Sequence, residues 1–367
     1  MYTRIRTALI RAFPVPQAVA MPAAGVDISD HSVKVVSLTW QGMRLGVDRY
    51  GSRALPDGVV ENGEIKDRGK LVATLRSLKE TFQLHFVRAS LPEERGYLFS
   101  MDVPCVSPEE LYGLVQFQLE DHIPITASDA IFDYHIPPHE KAVRAGEHTH
   151  IAVVSAFPKA TITEYQTLFE EAGLVPVSFE IEAQAVARAV VHKNDVRVVM
   201  IVDFGKTRSG ITIVEKGAVR FTTTIDVGGD SITRAIHEAL PNATDEEVVA
   251  IKNERGIVRS AGNEKIAESL MTTVSALKDE MNRHALYWHG HEGAAERAHI
   301  AKILMCGGSS NLAGLVPYLG AALKIPVSHA NVWENVFSVG AVVPPIVASE
   351  SLGYAHAIGL ALEHLDS

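Results

Sequence analysis

Two aspartates, Asp27 and Asp203, each end a short apolar run and begin a polar turn. A carboxylate at the end of a buried strand can hold a hydrated Mg²⁺, and the backbone N–H groups of a tight turn can hold phosphate oxygens. Two such units facing each other would form a clamp around a nucleotide. The alternative is purely structural: two ordinary β-hairpins that carry aspartate in their turns.

The two runs belong to a weak internal repeat. Each aspartate is followed by a strand-like run and a glycine turn, at Gly42 in the first copy and at Gly217 in the second, and both turns lead into a further strand. This self-similarity predicts two related β-units. Lys34 lies on the strand that leaves the first turn, where its ammonium group can reach back to a phosphate. A lone lysine on a strand is also commonly solvated.

Two further segments suit a nucleotide cleft between lobes. The stretch Cys306–Ser310 reads Cys-Gly-Gly-Ser-Ser and joins a strand to a helix. Paired glycines at such a junction let the backbone approach a ribose or a phosphate closely, and a plain strand-to-helix turn is the alternative. The stretch Ala355–Ala361 carries small residues at close-packing spacing. It predicts a tight helix crossing, as a hinge between two lobes requires.

Composition and charge bound the class of protein. The chain has 367 residues and a formal net charge of −10. Its length predicts roughly two to three domains, and its acidity argues against a nucleic-acid partner. No apolar run is long enough to span a bilayer, so we expect a cytoplasmic protein. Residues 1–21 form a basic tail with Arg4, Arg6 and Arg11 and no acid; it is either a frayed end or a segment that touches a membrane or partner.

The order of these pieces resembles the actin-like ATPase superfamily. Asp27–Lys34 resembles its first phosphate motif, and Asp203–Thr207 resembles the second. Met305–Ser310 resembles its adenosine motif, and the stretches from Glu182 and from Ala355 stand where its two connecting helices belong. The fold class implied is α/β, with duplicated ribonuclease-H-like lobes.

Within that superfamily the chain resembles the PilM family of type IV pilus assembly proteins, from about Gly25 to Leu362. The segments that carry this resemblance are Leu91-Pro92, Val103-Pro104, Glu109-Glu110-Leu111, His122-Ile123-Pro124-Ile125, Asp133-Tyr134, Phe179-Glu180-Ile181-Glu182 and Val227-Gly228-Gly229-Asp230. The resemblance implies an α+β insert subdomain like that of the division protein FtsA. We therefore expect a first lobe (1A) of 22–89, 178–195 and 345–367, an insert (1C) of 90–177, a second lobe (2A) of 196–235 and 300–344, and a helical subdomain (2B) of 236–299.

The resemblance also implies ATP or ADP with Mg²⁺ in the cleft. The nucleotide-binding residues expected from it are Asp27, Ser29, Ser32, Val33, Lys34, Asp203, Gly205, Lys206, Thr207, Gly228, Gly229, Lys252, Gly307, Gly308 and Ser309. Asp27 and Asp203 would hold Mg²⁺ through water, and Glu182 is the catalytic candidate that would orient the attacking water.

The implied partner is the cytoplasmic tail of a PilN-like membrane protein. It would dock in a groove between the insert and the first lobe, by helix-type or strand-type peptide recognition. The chain would then be a nucleotide-binding scaffold of the type IV pilus assembly platform, cytoplasmic and peripheral at the inner membrane. Contact with the membrane would be indirect or peripheral, and self-association is possible.

Three positions depart from the family pattern: Ser29 stands where glycine is usual, Val249 where an acid is usual, and Arg208 is bulky for a phosphate turn. They indicate weakened nucleotide binding and at most a slow ATPase. Two alternatives stay open. A small-molecule kinase of the same superfamily would need a base beside a substrate hydroxyl, which the sequence does not reveal. A filament-forming, FtsA-like division protein would be expected to carry a longer C-terminal linker and anchor.

Overall fold

A computed structural model describes residues 23–42, 44–137, 142–144, 147–290, 299–338, 340, 342–363 and 365. The predicted basic tail at 1–21 lies outside these residues. None of the helices in the described ranges combines the length and the hydropathy that a bilayer span requires.

Two five-stranded sheets share one pattern. In the first, the order is β11-β6-β1-β2-β3, with bounds Val175–Ile181, Phe86–Leu91, Ala23–Ile28, Ser32–Gln41 and Arg44–Ala54. In the second, the order is β14-β13-β12-β15-β16, with bounds Ala218–Ile225, Ser209–Glu215, Val198–Phe204, Ile300–Cys306 and Val327–His329. In both, three consecutive antiparallel strands continue into parallel ones. The predicted repeat therefore corresponds to two sheets of like construction.

The remaining strands form a short hairpin and the sheet of the insert. The hairpin pairs β4 and β5, with bounds Val60–Glu61 and Glu64–Ile65. The insert sheet has the order β7-β10-β8, with β9 also paired to β10; the bounds are Tyr97–Pro104, Glu147–Pro158, Ala130–His135 and Ala142–Arg144.

The α-helices connect and cover these sheets. Their bounds are α1 Arg68–Phe82, α2 Pro108–His122, α3 Lys159–Glu171, α4 Glu182–Val190, α5 Gly229–Ala239, α6 Asp245–Ala250, α7 Glu264–Gly290, α8 Leu315–Leu323, α9 Ala348–Ser351 and α10 Ala355–Leu362. Helix α2 begins with a capping box. The Ser107 side chain accepts from the Glu110 amide, and Glu110 accepts from the Ser107 amide, so both free helix-end donors are satisfied.

The central strands are apolar because they are covered on both faces. All six residues of β1 are buried, as are six of the seven residues of β12. The sequence of a strand that is buried on both faces is a continuous apolar run, without alternation of apolar and polar residues. Asp27 and Asp203 are the acidic residues of these two strands, so each carboxylate is carried on a rigid, buried support.

Helix α3 packs with the first lobe. Its buried side chains Tyr165, Leu168 and Phe169 share a core with Leu71 and Leu75 of α1. The insert sheet has a separate apolar core that it shares with α2. The sequence placed α3 in the insert (90–177), and the helix packs against both the insert strands and the first lobe. The subdomain limits stay a prediction.

Helix α10 lies tightly between β1 and α4 because two glycines leave room for it. A Cβ on Gly359 would stand 1.8 Å from the carbonyl oxygen of Ala185 in α4. A Cβ on Gly25 would stand 2.0 Å from the carbonyl oxygen of Ala357. The close helix crossing predicted from the small residues is therefore present. It fixes α4 against the first sheet.

Gly359→Ala should destabilise the protein, since the added methyl group overlaps the Ala185 carbonyl and the backbone must shift. Overpacking of this kind costs about 1–3 kcal/mol, which lowers the melting temperature by several degrees. Gly113→Ala in α2 is the matched control, because a Cβ there meets nothing within 4 Å and alanine is the better helix former. Melting followed by circular dichroism measures both. Equal melting temperatures for the two variants would contradict this packing.

Candidate functional site

A cleft of about 660 Å³ opens between the two sheets, where β1 and β12 end. A volume of this size suits a small organic ligand. The predicted site residues that line it are Asp27, Ser29, Ser32, Lys34, Glu182, Asp203, Gly205, Lys206, Thr207, Lys252, Gly307, Gly308 and Ser309. Folding thus gathers most of the predicted residues, from segments far apart in sequence, around one space.

The first turn, between β1 and β2, is held by its own serines. The Ser29 amide donates to the Ser32 carbonyl at 2.9 Å, and the Ser32 amide donates to Ser29 Oγ at 3.2 Å. Ser29 Oγ also lies 3.1 Å from the Ser32 carbonyl oxygen. The hydroxyl that replaces the usual glycine hydrogen is therefore engaged in closing the turn. Val33, which was also predicted to bind nucleotide, points into the core and is fully buried.

The second turn, between β12 and β13, requires glycine. The Gly205 amide donates to the Arg208 carbonyl at 3.0 Å. A Cβ on Gly205 would stand 2.6 Å from that same oxygen. The backbone at this turn consequently faces the cleft with no side chain at its closest point.

Gly228 and Gly229 pack against the second turn and are not among the residues that line the cleft. The Gly229 amide donates to the Gly205 carbonyl at 3.0 Å. A Cβ on Gly228 would stand 2.4 Å from the Thr207 carbonyl oxygen. These two glycines therefore shape the phosphate turn by letting the start of α5 approach it.

The glycine pair after β15 closes the cleft on the second lobe. Gly307 has a φ of +83°, and a Cβ there would stand 2.2 Å from Asp203 Oδ1. Ser309 Oγ donates to the Gly205 carbonyl at 2.9 Å. The predicted adenosine motif is therefore bonded directly to the second phosphate turn.

Two lysines reach the cleft from opposite lobes. Lys34 pairs across the β1–β2 ladder with Asp27. Lys252 donates from Nζ to Thr233 Oγ1 at 2.9 Å and to the Gly229 carbonyl at 3.3 Å, and burial lowers the pKa of its ammonium group. Val249 also lines the cleft, with its side chain exposed where an acid is usual.

Five carboxylates converge on the floor of the cleft: those of Asp27, Glu93, Glu94, Glu182 and Asp203. Burial, followed by the charge of Asp27 and the other acids, raises the pKa of Glu182 well above its usual value. Burial also raises the pKa of Glu93 to about 7, although a hydrogen bond from Thr222 opposes the rise. Among the described residues, no three acidic, histidine or cysteine side chains are placed to hold a metal ion directly.

Sequence reasoning missed Glu93 and Glu94 as cleft residues. They follow β6, which runs parallel to β1 and ends at the same edge of the sheet. Ligands of open α/β sheets gather at the carboxyl ends of the strands, so an acid pair directly after a third apolar strand was the available signal.

His31 is a second residue that the sequence did not single out. Its Nε2 is buried and makes no hydrogen bond within the described chain. The Asp230 carboxylate is 3.9 Å from it. A buried ring nitrogen at the rim of a cleft is suited to contact a ligand, because leaving it unpaired is costly.

A second groove, of about 520 Å³, lies between the insert and the first lobe, and residues of the second lobe, among them Val214 and Val219, also line it. The edge strand β8 lines it with Ile131–His135, and β11, the edge strand of the first sheet, lines it with Phe179, Glu180 and Ile181. Arg188 of α4 pairs with Glu180 through two contacts of 2.6 Å at the base of the groove. An edge strand offers unpaired backbone groups, which an extended peptide can bind.

Comparison with known proteins identifies the family. The profile described as type IV pilus assembly protein PilM matches residues 25–365. The chain belongs to this family. The predicted resemblance is thereby confirmed over nearly the whole chain.

Solved structures show the fold. A PilM–PilN type IV pilus biogenesis complex has a chain 20% identical to this one, with 94% of this chain and 98% of that chain covered and a TM-score of 0.73. The ethanolamine utilization protein EutJ from Carboxydothermus hydrogenoformans is 15% identical, with 95% and 91% covered and a TM-score of 0.54. MreB5 of Spiroplasma citri bound to ADP is 12% identical, with 94% and 96% covered and a TM-score of 0.55. The predicted actin-like fold class is confirmed.

Glu93→Gln should change stability in a pH-dependent way. With a pKa of about 7 in the fold against 4.5 unfolded, folded Glu93 holds its proton more tightly, so its ionisation costs stability as the pH rises from about 4.5 to 7. Glutamine cannot ionise. The free energy of unfolding of the variant, relative to that of the parent protein, should therefore rise by on the order of 1–3 kcal/mol between pH 5 and pH 8.

Urea unfolding at the two pH values measures this difference. Glu109→Gln, at an exposed position on α2, is the matched control and should show no such change. If Glu93→Gln changes the free energy of unfolding by the same amount at pH 5 and at pH 8, Glu93 is ionised throughout this range and the prediction is wrong.

Proposed function

We propose that this chain is a nucleotide-binding scaffold of the type IV pilus inner-membrane assembly platform. One observation carries the proposal: helix α4 contributes to both candidate sites. Glu182 at its first turn lines the cleft, while Gln184 and Arg188 on the same helix line the groove beside the insert. A single rigid element thus connects a ligand cleft to a peptide groove.

ATP or ADP would occupy the cleft, with its phosphates between the two turns. The chain fits such a group, since Gly205 and Gly307 leave the backbone open there and His31 carries an unpaired ring nitrogen. Asp27 and Asp203 would hold Mg²⁺ through water. When bound, that ion would neutralise phosphate charge against the carboxylates of the floor. Lys252 and the Gly307–Ser309 turn would flank the nucleoside.

Glu182 would orient a water molecule toward the terminal phosphate. Burial among other acids favours its protonated form, and a protonated carboxyl is a poor proton acceptor. Mg²⁺ held by Asp27 and Asp203 would oppose this rise in the pKa. The support for at most slow hydrolysis of ATP is therefore the set of departures from the family pattern, at Ser29, Val249 and Arg208. The working states of the protein would be defined by which nucleotide is bound.

The groove between β8 and β11 would hold the cytoplasmic tail of a PilN-like membrane protein. The related PilM–PilN complex supports a partner of this kind. Two edge strands face the groove, so the tail would add to one of them as an extended strand, with its side chains against Phe179 and the Arg188–Glu180 pair. The scaffold would sit in the cytoplasm, at the inner membrane through this partner.

The shared helix makes the two sites thermodynamically linked. If nucleotide in the cleft changes the affinity for the tail through this helix, the tail changes the affinity for nucleotide by the same factor. The affinity for the membrane partner would thereby depend on which nucleotide is bound.

Asp203→Ala should weaken Mg-ATP binding at least about tenfold, equivalent to 1.4 kcal/mol, because it removes one of the two carboxylates that would hold the metal. Isothermal titration calorimetry measures the affinity. Asp121→Ala, at an exposed position on α2, is the control and should bind as the parent does. If the parent protein binds no ATP at millimolar concentration, the nucleotide proposal is wrong.

Ile131→Asp should reduce binding of a synthetic PilN-tail peptide by about tenfold or more, since it places an unpaired charge at the exposed edge of the groove. Fluorescence anisotropy of a labelled peptide measures this. The matched variant Val196→Asp changes a similarly exposed valine outside the groove and should bind normally. Equal peptide affinity in both variants would place the peptide elsewhere.

A further inference from the structure

One arginine joins the two lobes across the cleft. Arg208, in the second turn, contacts Asp30 in the first turn, with 2.9 Å between Nη2 and Oδ2. Its other terminal nitrogen, Nη1, lies 2.6 Å from Glu94 Oε1, just after β6. The guanidinium fork is thus divided between two carboxylates, both of them on the opposite side of the cleft.

These contacts are sheltered and pre-positioned. The side chains of Arg208, Asp30 and Glu94 are 16%, 12% and 26% exposed. The Asp30 carboxylate also accepts from the backbone amides of Asn62 and Gly63 at 3.4 and 3.3 Å. Screening by salt is weak at such depth, and a fixed acceptor loses little freedom when it pairs.

Further contacts also join the second lobe to the opposite side of the cleft. Lys206 Nζ lies 3.4 Å from His31 Nδ1, which joins the second turn to the first. Thr222 of β14 donates a hydrogen bond to Glu93, beside Glu94. The second lobe therefore contacts both the first turn and the Glu93–Glu94 segment.

We propose that Asp30, Glu94 and Arg208 form a clasp that holds the lobes together without nucleotide and lowers nucleotide affinity. The clasp places two carboxylates against the phosphate turns and neutralises the arginine that would otherwise attract phosphate. Under this proposal, nucleotide binds more tightly to molecules in which these contacts are open. Its apparent affinity is then the intrinsic affinity reduced by the fraction of molecules with an open clasp.

The clasp accounts for the identity of Arg208, a residue that is large for a phosphate turn. A small residue there would leave Asp30 and Glu94 facing each other with no cation between them. Lys206 is already engaged with His31. The arginine fork reaches both acids at once, which a single ammonium group does less well.

Glu94→Gln tests the clasp directly, because it keeps the shape of the side chain and lies outside both phosphate turns. Spin labels at Ala73→Cys in α1 and Glu268→Cys in α7, in a Cys105→Ser background, report the separation of the lobes by pulsed electron paramagnetic resonance. Calorimetry with Mg-ATP reports affinity. We expect Glu94→Gln and Arg208→Gln to lengthen and broaden the label distance without nucleotide. We expect Glu94→Gln to bind Mg-ATP about tenfold more tightly than the parent.

The control is Arg197→Gln, which breaks an ion pair with Asp195 outside the cleft and should change neither readout. An unchanged label distance in Glu94→Gln and Arg208→Gln would overturn the clasp. Weaker Mg-ATP binding in Glu94→Gln would also overturn it, since the acid would then be assisting the nucleotide.

Only the affinity readout rests on the nucleotide function proposed above. Lengthened distances with no Mg-ATP binding in any protein would support the clasp and reject the nucleotide proposal. Unchanged distances with normal Mg-ATP binding would do the reverse.

Discussion

The contact of α10 with β1 and α4, made possible by two missing side chains, is the constraint on which the rest of the molecule depends. Gly25 and Gly359 bring a helix backbone against a strand on one side and a second helix on the other. That packing fixes α4, and α4 contributes side chains to the cleft and to the groove beside the insert. The geometry of both sites is therefore set by backbone proximity at positions that touch no ligand.

The cleft combines groups of opposite charge. Its floor gathers acids, and burial together with neighbouring acidic charge raises the pKa values of Glu93 and Glu182. Its rim offers lysines, turn amides and a histidine. Under the proposed function, a nucleotide that arrives with Mg²⁺ would leave neither its phosphates nor the floor carboxylates uncompensated. The ion pairs of Arg208 supply part of that compensation from within the chain.

The departures from the family pattern are easier to interpret in three dimensions. Ser29 closes its own turn through its hydroxyl, so the first turn keeps a tight form without glycine. Arg208 extends across the cleft to the opposite lobe. Residues that look unfavourable when a motif is read in isolation thus have structural partners, and those partners lie in segments that the motif does not include.

Much of the architecture is encoded locally and could be predicted. The apolar strands that end in Asp27 and Asp203 and the glycine turns are short-range patterns. They predicted the two β-units, and most of the site residues predicted from the sequence do line the cleft. The family assignment depended on the same patterns.

Other features depend on contacts between distant parts of the chain, which short-range patterns do not specify. Glu93 belongs to the cleft because β6 lies beside β1. Asp30 and Arg208 meet although 178 positions separate them. Tyr165 and Phe169 of α3 share a core with leucines of α1, which lies far earlier in the chain. By itself the sequence determined which segments carry the chemistry; the tertiary structure decided which charges face each other, because pairing, burial and pKa depend on neighbours that only folding brings together.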